Sequence, residues 1–133
     1  MFVWKEKYVL GIGEIDKQHK ALVDLINRLF SAMQSGAGKD VLEETLNGLV
    51  DYTRHHFMTE EILMGNYDFP DVDAHKMEHR KFAEEVEAFR QDFQSGNTGI
   101  SIQLISFLRD WLDSHICETD YKYGEYLRGQ GAR

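Results

Sequence analysis

Two pairs of metal-binding residue types lie close together in this chain, each pair four residues apart: His56 with Glu60, and His75 with His79. On an α-helix, residues four apart sit one above the other on the same face. Each pair can therefore aim two ligand groups at one point. Between the pairs runs G-N-Y-D-F-P-D, which contains the only proline of the chain. That is turn chemistry, and it folds the two helices back on each other. The spacing thus predicts two helices facing each other across a metal centre. Imidazole suits iron, copper, zinc and nickel, whereas oxygen ligands suit harder ions.

The elements that must position these residues follow from hydrophobic period. A first helix is expected from Ile15 or Asp16 to about Gln34, with Ile15, His19, Leu22, Ile26, Leu29 and Met33 on one stripe. A second follows the break Q-S-G-A-G-K, with Asp40 and Glu43 forming a capping box, and ends at Gly65 and Asn66. Its stripe carries Leu42, Leu46, Leu49, Thr53, His56, Glu60 and Leu63. A third starts near Asp71, with Val72, His75, His79, Phe82, Val86, Phe89 and Phe93 in register, and S-G-N-T-G closes it. A fourth is expected from about Ile100 to Ile116, with Leu104, Leu108, Trp111 and His115 aligned. Short connections imply antiparallel neighbours. The expectation is an all-α, up-down-up-down four-helix bundle forming one domain over 1–133. Residues 1–14 are an extended arm, 15–116 the bundle, and 117–133 a tail with room for a helical turn at 120–127.

Five of the six histidines and Glu60 fall on inward stripes. Such groups are costly in an apolar core unless paired or bound to a metal. Depth gives a second test. His19, His75 and His79 lie near the starts of helices one and three, and His56, Glu60 and His115 near the ends of two and four. In an up-down-up-down bundle those termini share one end, so all six converge. Asp120 is five residues beyond His115, about 500° around a helix and so off that face. It reaches the centre only if the helix unwinds or tightens after Ile116. A second carboxylate is expected there, because two divalent ions beside one glutamate leave much buried positive charge. His55 lies off the stripe and is expected at the surface. Cys117 is read as a small packing residue.

Composition narrows the function. At 133 residues, 42% hydrophobic and 29% charged, the chain has ordinary globular proportions. A net charge of -8 disfavours nucleic acid and anionic membrane surfaces. No apolar run approaches the roughly 18 residues of a membrane span. The N-terminus does not resemble a secretory signal, and one cysteine forms no internal disulfide. A cytoplasmic location is expected. C-x-x-C-H is absent, so no c-type haem attachment is expected.

The stretches I-D-K-Q-H at 15–19, H-F-M-T-E-E at 56–61, A-H-K-M-E-H-R-K-F at 74–82 and W-L-D-S-H-I-C-E-T-D-Y-K-Y at 111–123 together resemble the hemerythrin family, over essentially the whole chain. The resemblance implies a non-haem di-iron site with an oxo or hydroxo bridge. His75, His79 and His115 would hold one iron, His19 and His56 the other, and Glu60 and Asp120 would bridge them. The iron with two histidines keeps an open position, where O2 binds reversibly. Trp111 and Leu112 match family residues near that pocket, with Phe57, Phe82 and Ile116 as further members of its apolar wall. A histidine-rich set donates less negative charge than the carboxylate-rich sets of di-iron enzymes on similar bundles. That favours reversible binding over oxygen activation. The expected role is oxygen storage, transport or delivery to an oxygen-consuming enzyme, by a monomer that is not itself an enzyme. Two alternatives are an oxygen or redox sensor acting through a separate partner, and a metalloenzyme: a di-iron centre handling peroxide or nitric oxide, or a dizinc hydrolase.

Overall fold

A computed structural model describes residues 2–37, 39–96 and 101–132. Among the described residues five α-helices carry the architecture: α1 Gly13–Gln34, α2 Lys39–Asn66, α3 Val72–Gln94, α4 Ser101–Ser114 and α5 Tyr121–Gly129. A π-helical turn, His115–Asp120, joins α4 to α5. There is no strand among the described residues.

The stripes become the core. α1 buries Ile15, His19, Leu22, Ile26 and Leu29. α2 buries Leu46, Leu49, Thr53, His56 and Glu60, and α3 buries His75, His79, Phe82, Val86 and Phe93. From α4, Leu104, Leu108 and Leu112 complete it. α1 packs on α2, α2 on α3, α3 on α4 and α4 on α1, which closes an up-down-up-down bundle. Burying each of these leucines contributes on the order of 2 kcal/mol. The polar residues gather at one end and the aliphatic ones fill the rest.

Helix ends differ from expectation in detail. Asp40 sits inside the first turn of α2, which already starts at Lys39, so it is not the residue that precedes the helix. Gly96 ends α3 with φ 102°, whereas residues 97–100, including the expected start at Ile100, lie outside the described residues. The α2–α3 turn is closed by Phe69 N–H donating to Met64 O at 2.9 Å, and Phe69 is buried beneath it.

The arm is built rather than merely extended. Residues Glu6–Tyr8 form a 3-10 turn, and Phe2, Tyr8, Leu10 and Ile12 are buried. Asn27 holds Phe2 by two hydrogen bonds, accepting from its N–H at 2.9 Å and donating to its carbonyl at 2.8 Å. The Tyr8 hydroxyl donates to Asp113 at 2.6 Å. At the entry to α1, the Asp16 carboxylate accepts the N–H groups of Leu10 at 2.8 Å and Gly11 at 3.1 Å. Gly11 has φ 85°, and a Cβ there would stand 2.9 Å from Arg128 Cδ. Gly11→Ala is therefore expected to lower unfolding free energy by about 1–3 kcal/mol, the cost of a left-handed non-glycine residue. The check is a lower urea midpoint at unchanged slope.

Candidate metal centre

At the polar end of the bundle, three helices and the π turn that follows α4 each contribute a piece of one buried cluster. α1 supplies His19, α2 supplies His56 and Glu60, and α3 supplies His75 and His79. His115 and Asp120 are the first and last residues of the π turn. That turn resolves the angular problem. A π turn is bonded from i to i+5, so its fifth following residue stands over the first. His115 Nε2 and Asp120 Oδ1 are 2.9 Å apart. The helix widens after Ser114; it does not tighten.

Ligand-type atoms form two groups, each lying within 4.8 Å of one another. One contains His75, His79, His115, Glu60 and Asp120; the other contains His19, His56, Glu60 and Asp120. The two carboxylates belong to both. Asp120 Oδ2 is 3.0 Å from His19 Nε2, and its Oδ1 is 2.9 Å from His75 Nε2. Glu60 Oε1 is 2.8 Å from His56 Nε2 and 3.6 Å from His79 Nε2. His19, His56, Glu60 and Asp120 are fully buried, and the other three nearly so.

Proximity does not satisfy these atoms. Both oxygens of Glu60 and of Asp120, and Nε2 of His19, His56 and His75, are buried without a hydrogen-bond partner. Orphaned buried acceptors cost about 1–3 kcal/mol each. Converging lone pairs of nitrogen and oxygen are what two metal ions would satisfy together. The donor set therefore fits a pair of ions.

Outer partners orient three of the rings. The His56 Nδ1–H donates to Gln18 Oε1 at 2.7 Å, and the His79 Nδ1–H to Glu61 at 3.3 Å. His115 Nδ1 lies 3.4 Å from Glu78, which also accepts from Thr119 at 2.9 Å. A proton held on Nδ1 leaves Nε2 as the lone-pair atom facing inward for His56 and His79, and for His115 once its second proton is released.

Electrostatics agree with this geometry. Burial and then the Asp120 charge push the Glu60 carboxyl up, but the His56 and His79 imidazoles together outweigh them and the value falls to about 2. Burial likewise raises Asp120, yet His115 holds it well below the usual carboxylate range. Both carboxylates are thus anionic at neutral pH. Burial disfavours the imidazolium of His115, and Asp120 more than reverses that, to about 10.

The expected apolar wall divides. Phe57 stacks on His79 with ring centroids 3.8 Å apart, and Trp111 stacks on His115 at 4.3 Å. Phe82 packs on Trp111 at 4.0 Å. Phe57 and Trp111 thus stack on rings of the three-histidine group, Phe82 packs behind them, and Phe57 also lies 6.0 Å from the ring of His56 in the other group. Leu112 and Ile116 are buried in the core. His55 is exposed, as expected from its place off the stripe.

The same pattern is found in known proteins. A family model described as Hemerythrin HHE cation binding domain matches residues 10–127. The chain belongs to the hemerythrin family. A bacteriohemerythrin of Stenotrophomonas maltophilia is 34% identical over 96% of this chain and 82% of its own length. One from Methylococcus capsulatus is 33% identical over 88% of each. The crystal structure of a wild-type hemerythrin superposes with a TM-score of 0.88 at 30% identity, covering 96% of this chain and 98% of the other.

Sequence reasoning passed over several residues of this hemerythrin site. Gln18, Glu61, Glu78 and Thr119 each lie beside a ligand-type residue or one turn from it, but nothing in the spacing ties a given one to a given ring. Tyr123 ends the last matched stretch but was given no role there. Its side chain is buried edge-on to His75, and its hydroxyl has no hydrogen-bond partner. Burial, then the charges of Glu60 and Asp120, push its pKa upward, so it stays a neutral phenol.

Proposed function

We propose that this chain binds O2 reversibly at a non-haem di-iron centre. One observation carries the reading: two histidine groups of unequal size share the same two buried carboxylates. His75, His79 and His115 would hold one iron, and His19 and His56 the other, with Glu60 and Asp120 spanning both. The two-histidine side has one protein ligand fewer, which leaves a position for O2. Two irons joined by an oxo or hydroxo bridge would supply the reversible redox chemistry that O2 binding requires. The protein's part is to orient and to exclude. Gln18, Glu61 and Glu78 fix ring tautomers, and Phe57, Phe82, Trp111, Leu112 and Ile116 keep the surroundings apolar. Five imidazoles and two carboxylates carry little negative charge, which suits a carrier more than an oxygen-activating catalyst. The role we assign is storage, transport or delivery of O2 to an oxygen-consuming enzyme, by a cytoplasmic monomer.

Metal analysis with absorption spectra tests this directly. Protein loaded with iron under anaerobic conditions should hold two irons per chain, be colourless when reduced, colour on exposure to O2 and bleach when O2 is removed. An unchanged spectrum on O2 exposure overturns the reading. His79→Ala should lose iron, whereas His55→Ala should retain both, because only the former residue faces the cluster.

A further inference from the structure

Between α2 and α3 a groove of about 510 Å³ opens on the outer side of His79. Its α2 wall is the stripe Arg54, Met58 and Ile62, spaced by four. Its α3 wall carries Lys76 and Arg80, also four apart. Met58 is 62% exposed and Ile62 57% exposed, and at four residues apart on α2 they form one contiguous apolar strip. Arg54, Lys76 and Arg80 are exposed, and none forms an ion pair within the described residues. Three cations outside any close ion pair, against the one carboxylate of the groove, Glu61, give this face a positive excess on a chain whose net charge is -8.

The floor of this groove leads inward. His79 and Phe57 line it, and so does Glu61, whose side chain is 33% exposed. Glu61 accepts from His79 Nδ1 at 3.3 Å, and His79 Nε2 lies 3.3 Å from His115 Nε2 inside the cluster. Glu61 and His79 thus link solvent to the buried centre in two side chains.

We propose that this groove docks an acidic protein carrying a one-electron redox cofactor, which restores the reduced state of the centre. The inference rests on the di-iron reading. Each encounter moves one electron: the carrier's cofactor is oxidised and one ferric ion becomes ferrous, so two encounters reduce the pair, and no atom is transferred. Exposed Met58 and Ile62 supply the apolar contact, and the three cations select an acidic partner. The complex expected is weak and transient, of the kind electron carriers form. Its association rate should depend steeply on charge and salt.

Two measurements with an acidic [2Fe–2S] ferredoxin as the probe test this. The first titrates oxidised ferredoxin into 15N-labelled, zinc-loaded protein. Amide shifts should cluster on residues 54–62 and 76–83 and vanish at high salt. The second follows reduction of oxidised, iron-loaded protein by reduced ferredoxin in a stopped-flow instrument. At low ionic strength the Arg54→Glu/Arg80→Glu double variant should react roughly tenfold more slowly or worse, while Arg28→Glu on α1 stays close to wild type. Shifts elsewhere, no shifts, or equal rates for the double variant and wild type overturn the proposal. Equal shifts from inorganic phosphate also overturn it, by making the groove a small-anion site. Failure to hold iron would sink the oxygen reading instead, and the zinc-loaded titration would still decide whether the groove docks an acidic protein.

Discussion

Glu60→Ala should reduce the metal content from two ions per chain to one at most, and abolish the O2-dependent colour change. The argument is one of shared ligands. Glu60 belongs to both ligand groups, and its 2.8 Å contact to His56 is the shortest between ligand-type residues of the centre. Removing it takes a ligand from both positions at once and leaves His56 Nε2 without its neighbour. His56 and His19 then offer only themselves and Asp120 to the smaller position. Losing a single histidine, by contrast, strips only one group. Elemental analysis of the purified variant, beside His79→Ala, separates these outcomes. A Glu60→Ala protein that kept two irons and full O2 response would overturn the assignment of a bridging carboxylate.

Metal loading should raise the thermal midpoint sharply, and the gain should shrink as pH falls. The folded chain buries both carboxylates and several imidazole nitrogens without hydrogen-bond partners. A ligand present at about a thousand times its dissociation constant stabilises the folded state by about 4 kcal/mol. For a domain of this size that corresponds to a shift on the order of 10 °C or more. Protons oppose it. In metal-free protein Asp120 raises the His115 pKa to about 10, so that imidazole is charged at neutral pH and must release its proton when a metal enters. Loading should therefore acidify a weakly buffered solution, and affinity should fall on acidification. The sign for the metal-free fold is opposite. A raised histidine pKa stabilises that fold fully below the unfolded value near 6.5, and the contribution is lost as pH rises through about 10. Calorimetry of both forms across pH 6–10 checks the pair of trends. A midpoint indifferent to metal would count against a functional cluster.

Much of this centre is legible in the sequence. A helical period assigns a direction to each side chain, and position along the helix assigns a depth. Those two quantities placed His19, His56, Glu60, His75, His79 and His115 at one end of a bundle, and the structure brings them together there. His55 was excluded by the same rule. What periodicity cannot supply is any departure from the period. Asp120 needed a helix wound to i→i+5 bonding, and no propensity marks where an α-helix will widen. The π turn exists in a tertiary setting where His115 and Asp120 meet buried partners while Tyr123 and Leu127 of α5 remain packed in the core. Partner choice was equally hidden. Gln18 bonds a ring 38 residues away, Glu61 one 18 away and Glu78 one 37 away. The side on which Phe57, Phe82 and Trp111 stack was settled only by how four helices rotate against one another. The sequence by itself determined which residues share a face and an end, because a regular helix converts spacing into angle and height. Only the tertiary structure decided which atoms meet, because hydrogen bonds and ring contacts depend on positions to within fractions of an ångström, between elements far apart along the chain.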